Sequence, residues 1–381
     1  MTVQQIYQLL NDTATQVMGS QAVATLDLQD MVSLRDTVYG TGADAFLNVL
    51  VDRIGKTVLR TLDFTATFPK LLRTEFEFGA VLQKVNINPM MAQAQEAWNV
   101  GSGAFTPNLY KIDKASIAQT FFKDAQTYEL DITIPDTLFK TAFTSAEAMA
   151  SFITGIFDTM STSLNMHIEN QTRIAILGLL GEKINAGNGV VDLVALYNDV
   201  ATTPISTASE AMESKDFLRF AGKVMRNYIK YMAKPSVLYN TAGMVRATAR
   251  DNMHVMVLTE FASACSTYLE SETFHNELVS LPYYTEVEYW QGTGATAPNF
   301  ADCSSIDVEI PSDGTKITQS GIVAVFADRE AIGVGLYDRF SAVDRNNRNR
   351  YTNYTEGITS QWFVDDSENA VIFTVIDAHT P

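Results

Sequence analysis

Apolar and polar residues alternate between residues 72 and 135, with a long interruption in the middle. The segment Thr127–Ile134 alternates strictly, as a half-buried strand does, and Arg73–Ile87 carries a similar pattern. Residues 88–115, about 28 in number, are rich in turn-forming residues and longer than most connections. The pattern predicts a long two-stranded ribbon with an outgoing and a return arm. Because two strands alone are marginally stable in water, this ribbon needs another surface to lie on.

From Thr144 to about Lys183 the apolar residues recur at helical spacing, and His167 falls on the same stripe. Thr144 and Glu147 have the spacing of a capping box, and no proline occurs between Pro135 and Pro204. At about 1.5 Å per residue, this helix would be roughly 50–60 Å long. We predict a frame-like helix in which His167 is a core or interface histidine.

The remaining segments predict further elements. Residues 1–62 indicate helices with short breaks, residues 190–320 mix helices and strands, and residues 321–377 are rich in strands. The last strands should pair with the base of the ribbon, since each needs a partner. Within 190–320 the predicted elements are a helix at Lys215–Lys234, strands at Ser236–Tyr239 and His254–Leu258, a helix at Phe261–Leu278, and strands at Tyr283–Trp290 and Ile306–Ile310.

The composition is that of a globular protein with 46% hydrophobic and 19% charged residues among 381. No apolar run approaches the roughly 20 residues of a membrane helix, and the start lacks the features of a signal peptide. Cys265 and Cys303 are too few for a disulfide framework, which favours buried thiols in a reducing compartment. The net charge of −17 argues against general affinity for nucleic acid.

Residues with catalytic or metal-binding potential are sparse. No two of the four histidines have metal-ligand spacing, and His275 with its neighbouring glutamates fits the polar face of a helix better than a metal site. The pairs Gly40-Thr-Gly42 and Gly292-Thr-Gly294 lack the third glycine and the strand–helix context of a dinucleotide loop. The sequence therefore predicts no enzyme, no cofactor and no metal site.

Two groups of basic residues have more than one interpretation. The first group follows one face of the helix predicted at Lys215–Lys234. A solvated surface is the favoured interpretation of this face, contact with an acidic second copy is the second, and contact with DNA is the third. The second group, Arg345, Arg348 and Arg350, stands among asparagines and tyrosines. Such a mixture can bind single strands, but arginine is best suited to bidentate pairs at an interface, which we favour. The residues of the first group are Lys215, Arg219, Lys223, Arg226, Lys230 and Lys234.

The order of these elements resembles that of the major capsid protein of tailed double-stranded DNA bacteriophages, a fold shared with encapsulins. The resemblance covers nearly the whole chain and rests on element order, without a sharp sequence motif. It implies an α+β fold with an N-terminal helical arm, a long extended-loop hairpin, a spine helix, a peripheral domain and an axial domain. The implied boundaries are 1–70 for the arm, 71–135 for the extended loop, 136–189 for the peripheral domain with its spine helix, 190–320 for the axial domain and 321–381 for the last peripheral strands.

The resemblance also implies a function. The expected protein is a structural subunit that self-assembles through hexamers and pentamers into an icosahedral virion shell around double-stranded DNA. Expected partners are further copies, a portal, possible decoration proteins and DNA that is contacted non-specifically. A separate scaffolding protein is also expected, because no long, highly charged coiled coil precedes residue 62. Assembly would occur in the host cytoplasm, without a membrane. An encapsulin-like compartment and a tail or baseplate protein are the alternatives.

Aromatic residues of the ribbon and basic residues along the chain are the candidates for contact between copies, because ribbon and arm cannot bury their faces alone. The candidate interface residues are Phe76, Phe78, Lys84, Trp98, Lys111, Phe121, Phe122, Arg219, Arg226, Arg345, Arg348 and Arg350.

Overall fold

The computed structural model of the protein describes only part of the chain. The described residues are 12–13, 16–17, 67–68, 71–73, 82–87, 117–122, 126–135, 146–270, 284–291, 299–310, 314–346 and 348–378. The chain divides into two compact units. The first comprises Met1–Gly79, Asp124–Ile174 and Gly333–Trp362, and the second comprises Ala80–Lys123, Ala175–Ile332 and Phe363–Pro381.

The described elements mix helices and strands, as the sequence predicts. In chain order they are β1 (Leu72–Arg73), β2 (Leu82–Ile87), β3 (Ile117–Phe122), β4 (Gln126–Pro135), α1 (Ala146–Ala186), β5 (Val190–Asp192), α2 (Leu193–Asn198), α3 (Ala208–Glu213), α4 (Lys215–Met232), a 3₁₀ turn (Arg250–Asn252), β6 (Met253–Leu258), α5 (Thr259–Glu270), β7 (Thr285–Val287), α6 (Phe300–Cys303), β8 (Ile306–Glu309), β9 (Lys316–Gln319), β10 (Ile322–Asp328), β11 (Ile332–Asn346), β12 (Tyr351–Val364) and β13 (Ala370–Thr374). None of the helices in these described ranges is long and apolar enough to cross a membrane.

The first unit contains a four-stranded sheet in the order β1-β11-β12-β4. Strand β4 runs antiparallel to β12, from the pair Pro135 and Tyr351 to the pair Gln126 and Ser360. The expectation that the last strands pair with the base of the ribbon is confirmed. The return arm was also predicted to pair with the outgoing arm along its length. For Gln126–Pro135 this stays a prediction, because residues 74–81 of the outgoing arm lie outside the described residues.

Helix α1 confirms the predicted long helix and extends it to Ala186, while the predicted capping residue Thr144 lies outside the described residues. In the first unit, Leu164 and Ile168 of α1 form a buried cluster with Ile358 of β12. This apolar stripe stabilises the helix against the sheet, since amphipathic burial contributes more than intrinsic propensity. After Ala186 the helix ends at Gly187, whose positive φ of 62° suits a helix C-terminus.

A five-stranded sheet forms the centre of the second unit, in the order β5-β13-β10-β6-β7. Strand β10 lies antiparallel to both β13 and β6, and every residue of β10 and β13 is buried. The rings of Phe326 and Phe373 meet across this pair with centroids 4.8 Å apart, in an edge-on geometry favourable for aromatic rings. A sheet buried in this way explains the nearly continuous apolar runs in both strands.

Helix α4 confirms the predicted amphipathic helix. It begins after Ser214, whose Oγ accepts from the backbone N–H of Phe217, and it ends at Met232. Its apolar face is buried and its basic residues follow the other side. The buried residues are Phe217, Leu218, Ala221, Met225, Ile229 and Met232.

The prediction of a strand at Ser236–Tyr239 is wrong. Only one isolated bridge, between Ser236 and Arg246, occurs there. The side chain of Asn240 closes a turn instead: its Nδ2 donates to the carbonyl of Met244, and its Oδ1 accepts from the N–H of Met244. An asparagine that bonds the backbone in this way competes with strand pairing.

The other predicted elements of this region are present with shifted ends. The strands at residues 254–258 and 306–310 are confirmed as β6 and β8. The strand predicted from Tyr283 to Trp290 shortens to Thr285–Val287. The predicted helix from Phe261 begins at Thr259, and its continuation beyond Glu270 lies outside the described residues.

Candidate assembly interface

Strands β2 and β3 form a separate two-stranded sheet in the second unit, which we call the hairpin. They pair antiparallel over six residues each, with Ile87 opposite Ile117 and Val85 opposite Gln119. Directly opposite residues in such a pair project to the same side. The prediction that an outgoing and a return arm pair is therefore confirmed for these two strands.

One side of the hairpin, which we call its outer face, carries four exposed apolar side chains beside the exposed Gln119. Val85 and Ile87 of β2 retain 50% and 58% of their accessible surface, and Ile117 and Phe121 of β3 retain 57% and 49%. Lys84, Thr120 and Phe122, which point to the other side, are only half-exposed, as the pleat of a strand leads one to expect. A cluster of large apolar side chains in contact with water is typical of a surface that binds another protein.

The opposite, inner face of the hairpin carries Lys84 and Phe122 and contacts residues near the end of the chain. The Nζ of Lys84 lies 2.7 Å from Oδ2 of Asp365 and 2.9 Å from Oε1 of Glu368. It also donates to the backbone carbonyl of Glu330 at 3.2 Å. The ring of Phe122 lies 5.3 Å from that of Phe363.

The two carboxylates belong to a turn between β12 and β13 at residues 365–369, which we call the acidic turn. Glu368 has a second cationic partner, since Nε of Arg246 lies 3.2 Å from the same Oε1. Burial raises the pKa of Glu368, while Lys84 and Arg246 act in the opposite direction. Asp365 also fixes the turn itself, because its Oδ1 accepts from the N–H and the hydroxyl of Ser367.

A fully buried lysine holds the backbone of the same turn. Nζ of Lys183, in the last turn of α1, donates to the carbonyls of Tyr239, Asp366 and Glu368 at 3.0, 3.1 and 3.2 Å. Desolvation by burial lowers the pKa of Lys183 to about 8, and the nearby carboxylates Asp366, Asp365 and Glu368 oppose that shift. Lys183 of α1 thus holds the backbone of the acidic turn, and Lys84 of β2 holds the side chains of Asp365 and Glu368 in it.

The structure places the predicted interface residues of the ribbon in three different situations. Phe121 lies on the exposed outer face, as a contact between copies requires. Lys84 and Phe122 lie on the inner face, in contacts within their own unit. The remaining four, Phe76, Phe78, Trp98 and Lys111, lie outside the described residues.

The predicted arginines occur in two places. Arg219 and Arg226 lie on α4 in the second unit, the first exposed and the second half-buried. Arg345, Arg348 and Arg350 surround the turn between β11 and β12 in the first unit, where the last two are exposed. Arg350 has a φ of 54°, the left-handed conformation that closes this turn. Their role in contacts between copies stays a prediction.

Sequence reasoning missed several residues of this region. The alternation of the ribbon could have indicated Val85, Ile87 and Ile117, because they share a face with Phe121. No local pattern singles out Lys183 or the acidic turn, since their partners are far away in sequence.

Little of the described region suits chemical catalysis. Within the described ranges, no group of three or more His, Cys, Asp or Glu residues is placed to hold a metal ion. Cys265 and Cys303 are free thiols, and burial raises the pKa of Cys265 to about 12, which disfavours its nucleophilic thiolate. The arrangement that the described residues offer is an apolar contact surface held by an ionic anchor.

The fold is that of phage capsid proteins. One similar solved structure is the capsid of Staphylococcus phage Andhra, with a TM-score of 0.51 and 10% identity over 81% of this chain and 84% of that one. Another comes from bacteriophage P68, in a structure of its head fiber and inner core protein gp22, with a TM-score of 0.54 and 11% identity over 82% and 85% of the two chains. At these identities the likeness concerns the fold. A search of curated proteins by sequence finds no match.

The family follows from the sequence. A family model described as Phi29-like phage major capsid protein matches residues 10–374. The chain belongs to this family, and its role is that of a structural, shell-forming component of the virion. Of the three functions considered from the sequence, the phage capsid protein is confirmed, as is the α+β capsid fold.

Proposed function

We propose that the protein builds an icosahedral shell of hexamers and pentamers around double-stranded DNA, and that the outer face of the hairpin binds a neighbouring copy. The observation that supports this role is the exposure of Val85, Ile87 and Ile117 on a hairpin whose inner face is anchored in its own unit. A second copy is the proposed occupant because a shell-forming protein must contact identical chains over much of its surface.

The energetic scale of this contact fits assembly. Full burial of a valine or isoleucine contributes roughly 1.5–3 kcal/mol, so a half-exposed side chain has about 1 kcal/mol still to gain. Three such side chains and Phe121 would together contribute a few kcal/mol at each contact. The same contact, repeated in every subunit, would drive assembly without requiring strong individual interactions.

Charge would set the register of these contacts. Copies with a net charge of −17 repel one another, so basic surfaces are suited to face acidic surfaces of neighbouring copies. We assign this role to Arg219 and Arg226 on α4, and to Arg345, Arg348 and Arg350 in the β11–β12 turn. The exposure of Arg219, Arg348 and Arg350 supports it.

The wider setting follows from the family and remains part of the proposal. It includes a separate scaffolding protein, a portal, possible decoration proteins, non-specific contact with packaged DNA, and assembly in the host cytoplasm. The division into arm (1–70), extended loop (71–135), peripheral domain (136–189 and 321–381) and axial domain (190–320) belongs to it too. The proposed role is structural, with no catalytic step.

A double substitution on the outer face tests the proposed contact. Ile87→Ser with Ile117→Ser should raise the protein concentration needed for assembly by about tenfold or more, because two apolar side chains no longer become buried. Light scattering measures the threshold, and negative-stain microscopy shows whether closed shells form. The thermal unfolding transition of the subunit should change little, since both side chains are exposed in it.

A matched control separates the hairpin from general surface hydrophobicity. Val200, which is 70% exposed between α2 and α3 in the same unit, can be replaced in Val200→Ser. This variant should assemble at the threshold of the parent. If the double variant assembles at that same threshold, the outer face is not a contact between copies.

A further inference from the structure

We propose that Lys84 is a positioning residue for assembly: through Asp365 and Glu368 it anchors the hairpin so that the outer face is presented in one fixed orientation. This inference rests on the proposed contact of the outer face with a neighbouring copy. It assigns to Lys84 a role within the subunit in place of the direct interface role expected from the sequence.

The hairpin depends on contacts outside itself. A two-stranded sheet of six-residue strands is marginally stable alone in water. Its outer face is exposed to water, so the described contacts that fix it come from the inner face. Two of these are the Lys84 ion pairs and the packing of Phe122 on Phe363. Lys84 therefore supplies the ionic part of the hairpin's attachment, beside the aromatic contact of Phe122.

The anchor is built to be rigid. The side chains of Asp365 and Glu368 are almost fully buried, so their attraction to Lys84 is screened less than that of a surface pair. The carboxylates cannot easily move away, because Lys183 holds the backbone carbonyls of Asp366 and Glu368 in the same turn. Lys84 thus binds to a site whose backbone and side chains are both fixed.

Rigidity at this position has a consequence for assembly. A hairpin that already has its bound orientation loses less conformational entropy when it meets a neighbouring copy. Without the anchor the same apolar side chains would be present, but they would have to be ordered at each contact. The identity of residue 84 should therefore affect assembly although Lys84 lies on the face opposite the contact.

The test compares Lys84→Met, which keeps the aliphatic stem, with Lys84→Arg, which keeps the charge. Hydrogen exchange is measured on the unassembled subunit, and the assembly threshold is measured by light scattering. In Lys84→Met we expect the amides of Lys84–Ile87 and Ile117–Phe122 to exchange about tenfold faster or more, and the threshold to rise several-fold. Amides of β10 and β13 should keep their protection. Lys84→Arg should stay within about threefold of the parent in both measurements.

A second pair of variants excludes a simple effect of charge. Lys84→Met combined with Asp365→Asn has the net charge of the parent and leaves no extra buried carboxylate, yet it lacks the anchor. It should retain fast hairpin exchange and a raised threshold. Asp365→Asn alone keeps an oxygen for Ser367 and weakens the anchor from its other side, which provides the test if Lys84→Met does not fold.

The outcomes separate this inference from the proposed contact. Unchanged hairpin exchange in Lys84→Met, or assembly of Lys84→Met/Asp365→Asn at the parental threshold, would overturn the positioning role. Normal assembly of the outer-face variant Ile87→Ser/Ile117→Ser would overturn the contact itself. That variant leaves Lys84 and the acidic turn intact and loses only the Ile87–Ile117 cross-strand pair, so its hairpin exchange should rise less than that of Lys84→Met.

Discussion

The rings of Tyr128 and His167 lie 4.1 Å apart and join strand β4 to helix α1 in the first unit. The phenol oxygen of Tyr128 accepts from Nε2 of Gln171 at 2.9 Å, one turn further along the helix. His167 Nε2 is also 3.4 Å from the hydroxyl of Ser360 on β12. A histidine on the apolar stripe of α1 is thus half-buried against the sheet, as its position in the sequence predicts.

Burial of His167 predicts a dependence of stability on pH. Desolvation lowers its pKa from the ordinary value of 6.5. Below pH 6.5 the unfolded chain therefore binds a proton that the folded chain binds only at lower pH, and stability falls with falling pH in that window. His167→Phe, which keeps an aromatic ring, should lose less stability than the parent between pH 7 and pH 5. Urea unfolding at both pH values measures this, and equal losses in the two proteins would contradict it.

Lys183 is expected to stabilise the second unit although it is a buried cation. Lys183→Met removes a charged donor from three carbonyls but also relieves desolvation, so we expect a net loss of about 2 kcal/mol at pH 7. The pKa of about 8 lies below the ordinary 10.5, so between these pH values the unfolded chain binds more protons than the folded one. Stability of the parent relative to Lys183→Met should therefore increase from pH 8 to pH 10.

Urea unfolding of both proteins at pH 7, 8, 9 and 10 gives the required comparison. Lys316→Met, which removes an exposed lysine from β9 in the same unit, is the control and should follow the parent throughout. A constant difference between parent and Lys183→Met would show that this lysine does not titrate in the predicted range.

Gly321 and Gly187 both have positive φ, at 75° and 62°, but differ in their surroundings. A β-carbon at Gly321 would overlap the carbonyl oxygen of Val375, whereas one at Gly187 would meet no atom within 4 Å. Gly187→Ala should cost about 1 kcal/mol for its backbone conformation alone. Gly321→Ala should cost about 3 kcal/mol or more, because the clash adds to the same backbone term. Denaturant unfolding of the two variants compares these costs, and equal values would contradict the predicted overlap.

The pairing of Ile87 with Ile117 allows the segment between them to be shortened. Asn-Gly in place of residues 88–116 would close the hairpin with a tight turn suited to strand twist. We expect the subunit to fold and to gain up to about 2 kcal/mol in stability, since closing a loop costs roughly 0.6 kcal/mol more for each doubling of its length. Closed shells should not form, because the extended loop is expected to reach a neighbouring copy.

Calorimetry and negative-stain microscopy together measure this outcome. A Gly/Ser segment of the original length is the matched control, because it separates the length of residues 88–116 from their sequence. Loss of cooperative unfolding in the shortened chain would show instead that the segment belongs to the core of the subunit.

The elements that the sequence predicts well are those whose buried and exposed faces can be recognised from the order of residues within the element itself. The apolar stripes of α1 and α4 and the apolar runs of β10 and β13 follow directly from burial of one face or both. Alternation in β4 also identified a strand, and its need for a partner led to the confirmed pairing with a late strand. The register could not be predicted, since Tyr351 pairs with Pro135 across more than 200 residues. The strand predicted at Ser236–Tyr239 failed because a side-chain amide closes a turn there.

In the candidate interface, too, the local strand pattern could be predicted and the contacts between distant residues could not. A single strand pattern distinguishes the two faces of β2 and β3, which is enough to place Val85 and Phe121 on the same side of the hairpin. The ionic anchor was inaccessible to such reasoning, because Lys84 and Asp365 are 281 positions apart. Lys183 looks in the sequence like an ordinary basic residue at a helix end, and only the tertiary fold surrounds it with carbonyls.

The sheet around Phe326 and Phe373 is shielded from water within a single chain, so its formation does not have to wait for a neighbour. Contacts between copies therefore do not have to stabilise the fold of the subunit, and each of them can be weak. A copy that joins a growing shell in the wrong place can leave again before others trap it. The buried sheet within one subunit thereby allows errors to be corrected while the whole particle assembles.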